Sequence, residues 1–313
     1  MRFRIAIALL VCGLDCGVSA EDTDAPGVLV EQLDHDFFMV RQRAMVNLLE
    51  LGEAAVDELE AVGEGASAEQ RFRVRELLGE IYRRRLERGF GEIGRCPDQE
   101  LDVEQGMILI AQILDPKVVP QTITDQLDEM AESVRRSLGD GVDPKSLGGA
   151  EAIQAITEVL RDQYQLQGDE EAYDDPDNSS IHRVLEQGDG LPILLSEIAV
   201  AVGKRLGVPL VGLGVPGRYM FMYDGSRAPA GESEKDIIVD AFGGWEVKQE
   251  DDLIPGWLHP LGGELTPSPP RETLSRMLRN MGSDFHSLGS AHQCELLRRY
   301  EALVDGVATV RAR

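Results

Sequence analysis

The sequence predicts an α+β protein in which one central helix packs against a small antiparallel sheet, with helical regions at both ends. Three observations predict it. Apolar residues recur at helical spacing through residues 34–206. After Gly207 the period shortens to strand length, over residues 208–215, 219–223 and 237–240, between turns rich in Gly, Pro and Ser. A Pro-rich link at residues 266–270 then leads back to two helical stretches.

The chain opens as an export leader. Arg2 and Arg4 form a positive start, residues 5–14 are an apolar run too short to span a bilayer, and Val18-Ser19-Ala20 offers a small-residue cleavage site. A mature protein beginning near Glu21, periplasmic or secreted, is therefore expected. Cys12 and Cys16 raise a lipidated start as an alternative, but Val11 and Asp15 stand where a small residue is required; an uncleaved anchor is the other alternative. The formal net charge is −25, and losing Arg2, Arg4 and Asp15 with the leader makes it one unit more negative. Such an acidic chain excludes nucleic acid and anionic membrane as partners, because both need clustered cations. The acidity reads as a solvated, self-repelling surface. No integral membrane segment remains once the leader is removed. Beyond it only Cys96 and Cys294 are left, so one bridge is open to them but a disulfide scaffold is not.

The elements follow in order. Asp36 stands where it can cap a helix carrying Val40, Ala44, Leu48 and Leu51 at helical spacing, and Gly52 fits its end. Residues 54–61 continue as a second helix. Ser67-Ala68-Glu69-Gln70 reads as a capping box opening a helix with Phe72, Leu77, Leu78 and Ile81 on its apolar side. Residues 100–114 form another, stopped by Asp115-Pro116. In residues 121–138, Ile123, Leu127, Met130, Val134 and Leu138 mark an amphipathic helix ended by Gly139. Residues 150–166 add one more, through Ile153, Ile156, Leu160 and Tyr164. The strands come next, with residues 227–235 as a polar hairpin insertion, and the chain closes with helices over 272–281 and 291–307.

The middle of the chain carries the most informative pieces. They are Asn178-Ser179, Val184-Leu185, Gly190-Leu191-Pro192, Leu195-Ser196, Arg205-Leu206-Gly207-Val208-Pro209 and Pro216-Gly217-Arg218-Tyr219. In this order they resemble the SirB-type branch of the transglutaminase-like superfamily, and the helical lead-in and acidic turn at residues 170–178 fit the same pattern. The resemblance covers residues 100–252, about half of the chain. It implies a papain-like core whose central helix opens near Pro192. Residues 36–44 resemble the start of a HEAT-like repeat, in which stacked helix pairs expose an edge to partners; an ordinary helical hairpin is the alternative. Residues 276–281 resemble the segment that opens a tetratricopeptide-like tail in relatives. The implied division is a leader at 1–20, a helical region at 21–95, the transglutaminase-like domain at 96–265 and a helical tail at 266–313.

The resemblance also implies a catalytic triad. Its enzymes carry a cysteine at the start of the central helix, a histidine on the next strand and an aspartate on the one after, so that imidazole keeps the thiol ionised and aspartate orients it. Here the cysteine position falls on Pro192, welcome at a first helical turn but no nucleophile. The histidine position falls on Arg218, which stays protonated and is no general base. Asp240 alone keeps its type, and an Arg218–Asp240 bidentate ion pair is the expected outcome. Ser196, one turn after Pro192, is the possible substitute nucleophile, although a serine there also serves helix packing. Glu197 should point elsewhere, and His182 reads as a surface residue. Asp174, Asp175, Asp177 and Asn178 lack the glycine and distal glutamate of a calcium loop and read as a turn. His286, His292 and Cys294 are too loosely spaced for structural zinc. Gly212, Gly214 and Gly217 alternate along a strand and make no phosphate cradle.

The reading is an exported transglutaminase-like protein without the catalytic Cys and His, acting as a non-catalytic binding or scaffold module for a protein or peptide partner. Its cleft is expected at Pro192, Ser196, Arg218 and Asp240, with Asn178 as a further ligand-binding candidate. No cofactor and no metal are implied. Two alternatives stand beside it: a hydrolase or acyltransferase of the peptidase or amidase kind using Ser196 or a recruited residue, and a helical-repeat adaptor in an assembly.

Overall fold

The computed structural model describes residues 25–215, 217–228, 235–249, 253 and 265–307. The leader, Pro216 and most of the polar insertion lie outside the described residues. The chain forms two compact units that divide between Arg85 and Leu86, ten residues earlier than the expected boundary.

The first unit contains α1 (Pro26–Gln32), α2 (Phe38–Leu51), α3 (Val56–Glu60) and the first part of α4 (Ala68–Arg95). Leu33, Ala44, Leu48, Leu59, Leu77 and Ile81 bury together in a core of its own. Three expectations change here. Phe37, not Asp36, is the residue before α2 and no side chain caps that helix; Asp36 stands one residue too early, and the His35 Nδ1 accepts from Phe37 N–H at 3.0 Å instead. Ser67 Oγ does accept from Gln70 N–H at 3.0 Å, but the Gln70 amide donates to the Val30 carbonyl at 2.9 Å, so only half of the capping box forms. Phe72 is 52% exposed, and Val74 takes the inward position. Helix α4 also runs on to Arg95, because no proline interrupts it before Pro97.

The second unit holds α5 (Val103–Leu114), α6 (Pro120–Leu138), α7 (Gly149–Glu158), α8 (Ile181–Gln187) and α9 (Pro192–Leu206). Asp102 caps α5, its Oδ1 accepting from Glu104 N–H at 3.1 Å. Ile123, Leu127, Met130 and Val134 are buried along α6 as their spacing requires. A π turn, Val159–Gln163, extends α7. A parallel pair of two-residue strands, β1 (Gln167–Gly168) and β2 (Asp189–Gly190), brackets the acidic loop.

The main sheet is antiparallel in the order β3-β4-β5-β6, formed by Leu210–Val215, Arg218–Tyr223, Ile237–Asp240 and Glu246–Lys248. The three-residue edge strand β6 has no apolar run to announce it in the sequence. Pleating divides the sheet into two faces. Tyr219, Phe221, Tyr223 and Val239 share a core with α9, whereas Leu213, Val215, Met220, Met222 and Ile238 form a smaller cluster on the other face. The expected C-terminal tail is part of this unit: α10 (Pro270–Ser287) and α11 (Ala291–Val304) place Leu274, Met277, Leu278, Met281, Leu297 and Tyr300 in the same core. Gly106 makes that possible, since a Cβ there would stand 2.3 Å from a Leu274 methyl. Cys96 and Cys294 are free thiols. No described helix is long and apolar enough to cross a membrane.

Candidate active-site region

Helix α9 opens on Leu191 in an extended conformation with Pro192 at its first turn, where the ring's fixed φ favours the helix and the missing N–H is not needed. Gly207 closes it at φ 71°, and a Cβ there would press to 2.5 Å on the Lys145 stem. Its last turn is held by Arg205. That guanidinium makes a two-point bond to Glu104 on α5, at 2.7 and 3.0 Å, and a third to Asp128 on α6 at 2.5 Å. The arginine of the Arg-Leu-Gly element is therefore a structural clamp, joining three helices.

At the other end, Ser196 is fully buried and its hydroxyl donates to the Pro192 carbonyl at 2.7 Å. This bond turns the oxygen back onto its own helix. No base donates to or accepts from it among the described residues, so the hydroxyl has no route to deprotonation. Pro192 itself is half-buried.

Strand alternation decides the rest. Arg218 lies opposite Val215, on the face of Met220 and Ile238, while Tyr219 lies opposite Gly214 on the face toward α9. Asp240 is on the Arg218 face too: Arg218 Nη1 reaches Asp240 Oδ2 at 3.2 Å, and Asp240 Oδ1 accepts from Gly243 N–H at 3.0 Å. One contact forms instead of the expected two-point pair, because the Arg218 side chain is 62% exposed while that of Asp240 is 7% exposed. Pro192 and Ser196 thus stand on one side of the sheet, Arg218 and Asp240 on the other. The four residues do not line one cleft.

What faces α9 is a buried polar cluster. Tyr219 Oη donates to Glu197 Oε1 at 2.6 Å and lies 3.0 Å from Thr273 Oγ1 on α10. Thr273 Oγ1 donates to Ser268 Oγ at 3.2 Å, and Ser268 N–H donates to the Gly212 carbonyl at 2.8 Å. Arg276 sits over the Tyr219 ring, 5.3 Å from its centre, and donates to the Arg218 carbonyl at 2.8 Å. Burial pushes the Glu197 carboxyl up to about 7, against the lowering effect of the Tyr219 bond. Burial, then the Glu197 charge, raises the Tyr219 phenol as well. Gly212 is required beneath them: a Cβ there would meet Tyr219 Oη at 2.2 Å and Glu197 Oε1 at 2.3 Å. So Glu197, expected to point away, is the one acid of the central helix and is buried, and Gly212 makes room for it.

The acidic loop is tied to itself. Asn178, a candidate ligand-binding residue, donates to Asp169 Oδ2 at 2.9 Å and to the Ala172 carbonyl at 2.8 Å, and Asp175 caps Asp177 N–H at 3.0 Å. Ser179 donates to Asp284 Oδ2 on α10 at 2.9 Å. Burial, with Asp174 and Asp175 nearby, moves Asp284 up to about 6. His182 stands 3.6 Å from Glu186 on the same helix. Among the described residues no group of three or more His, Cys, Asp or Glu is placed to hold a metal ion.

Sequence reasoning missed Tyr219, Thr273 and Asp284. For Tyr219 a signal existed, since the residue beside Arg218 on a strand must take the opposite face and Gly214 leaves room across from it. For Thr273 and Asp284, brought in from a distant helix, there was none.

A UPF0162 protein of Xylella fastidiosa strain Temecula1 is 29% identical over 204 residues, covering 62% of this chain and 68% of the relative. One from Vibrio cholerae is 23% identical over 158 residues, covering 50% of this chain and 54% of its own length. F-box only protein 21 of Mus musculus is 30% identical over 95 residues, 30% of this chain and 15% of that protein. No solved structure matches. The family model described as the transglutaminase-like superfamily matches residues 121–279, which span the helices, the sheet and the start of α10 described above. The chain belongs to the transglutaminase-like superfamily.

Proposed function

We propose that this protein is an exported member of the SirB-type branch whose transglutaminase-like domain is a non-catalytic binding module for a protein or peptide partner. One observation carries the reading: the hydroxyl of Ser196, one turn after the nucleophile position, is fully buried and spent on the Pro192 carbonyl. Pro192 and Arg218 supply neither nucleophile nor base. The likeness to a short part of F-box only protein 21 supports a module used within larger chains. Export rests on the leader pattern of residues 1–20.

The test is chemical labelling with mass spectrometry. Treatment with a serine-reactive fluorophosphonate should leave Ser196 unmodified in wild type, and an Asp240→Asn variant should not change the labelling pattern. A Ser196 adduct that disappears in Ser196→Ala and Asp240→Asn would establish a hydrolase or acyltransferase instead. A helical adaptor role is favoured by a separate observation, the exposure of Phe37, Phe38 and Met39 at 71%, 60% and 72% on the first unit. If that surface binds the partner, Phe37→Ser with Met39→Ser should abolish association while Glu and Arg variants of the second unit leave it intact.

A further inference from the structure

We propose that the groove between the end of α4 and the start of α5 binds basic peptide segments, taking a Lys or Arg side chain together with apolar neighbours. This rests on the reading of the second unit as a binding module and names where and what that module binds. The groove encloses about 620 Å³, within the roughly 300–1,000 Å³ typical of small-ligand sites.

Its chemistry is one-sided. Ile93, Leu101 and Ile108 give it an apolar floor and are themselves buried. Glu92 and Glu100 stand exposed along the wall, and neither has an ion-pair partner among the described residues. No described basic residue lines the groove. The third acid, Asp102, already takes a cation: Lys204 Nζ stands 3.2 Å from its Oδ2 while Oδ1 caps α5. The chain thus satisfies one carboxylate from its own central helix and leaves two for an outside cation. A lysine or arginine stem would lie along the Ile and Leu floor while its head meets Glu92 and Glu100. An anionic ligand would be repelled by the same carboxylates. The apolar floor and the two acids beside it favour a segment that carries both basic and apolar residues.

Cys96 gives the site its own reporter. It is half-exposed in the groove wall, whereas Cys294 is buried elsewhere. The experiment uses the full protein and a fluorescent peptide alternating Arg and Leu, followed by anisotropy and by the rate of Cys96 alkylation. Saturable, salt-sensitive binding that slows Cys96 alkylation is expected. Glu92→Gln with Glu100→Gln should weaken it about tenfold, two rim charges together approaching the energy of one decade. The charge-matched Glu170→Gln with Glu171→Gln, on the acidic loop, should leave it unchanged. Absence of binding, binding without protection of Cys96, or equal weakening in both double variants would overturn the groove assignment. None of these results bears on Ser196, so a failure here and a failure of the non-catalytic reading are told apart by the labelling experiment.

Discussion

The two faces of the sheet in the second unit treat their polar residues in opposite ways. Toward α9, Glu197, Tyr219 and Thr273 are buried and bonded to one another across a helix, a strand and a second helix. On the far face, Arg218 meets Asp240 through one contact with most of its side chain in solvent. Burial makes the first cluster energetically consequential, whereas the exposed guanidinium makes the second the weaker of the two, even though Asp240 itself is buried. The pair at the positions of the catalytic His and Asp is the weak one, and the Glu197–Tyr219 pair, which has no catalytic counterpart, organises the core.

That contrast can be broken from the buried side with the largest effect. Gly212→Ala would drive a methyl into both Tyr219 Oη and Glu197 Oε1, and overpacking with a lost buried bond should destabilise by about 3 kcal/mol, read as a lower midpoint in urea. Tyr219→Phe keeps the ring but strips the bond from a buried carboxyl, for about 2 kcal/mol. Arg205→Ala removes the half-buried clamp on Glu104 and Asp128, between the surface and buried limits at about 2 kcal/mol. Arg218→Ala on the outer face removes one contact from a buried carboxylate that keeps its Gly243 bond and should cost about 1 kcal/mol, the smallest of the four.

The buried acid also sets a pH dependence. Folding raises the Glu197 carboxyl from 4.5 to about 7, so its contribution is fully present below the unfolded value and is lost as pH rises through the folded one. Asp284, raised from 3.8 to about 6, acts in the same direction over a lower window. Unfolding measured from pH 4 to 8 should show wild-type stability falling with rising pH. Glu197→Gln should flatten the upper part of that fall and leave the part owed to Asp284. A wild type as stable at pH 8 as at pH 5 would show that the Glu197 carboxyl is solvated, and the contrast between the faces would weaken.

Much of this architecture was legible in the sequence because it rests on local chemistry. The period of α6, the proline that opens α9 and the left-handed Gly207 that closes it each declare themselves within a few residues. The sheet followed from the change of period after Gly207. What was not legible depended on contacts far apart in the chain. The identity of Arg218 said that a general base was missing, but only the strand register against Gly214 and Val215 placed it on the face away from α9. Tyr219 needed α10 to complete its bonds, and β6 is too short and too charged to signal a strand. Asp36 and Phe72 misled because a plausible cap lay one position, and an apolar residue two positions, from where the backbone used them.

The most direct test of the central claim, that Ser196 is sealed inside the core and cannot stand in for the missing nucleophile, is the reactivity of a thiol placed there. In a Ser196→Cys variant under native conditions, the account predicts that iodoacetamide modifies the half-exposed Cys96 and leaves position 196 unmodified until denaturant unfolds the chain. Alkylation of position 196 in the folded protein at a rate comparable to Cys96 would contradict it and return the start of α9 to solvent and to chemistry.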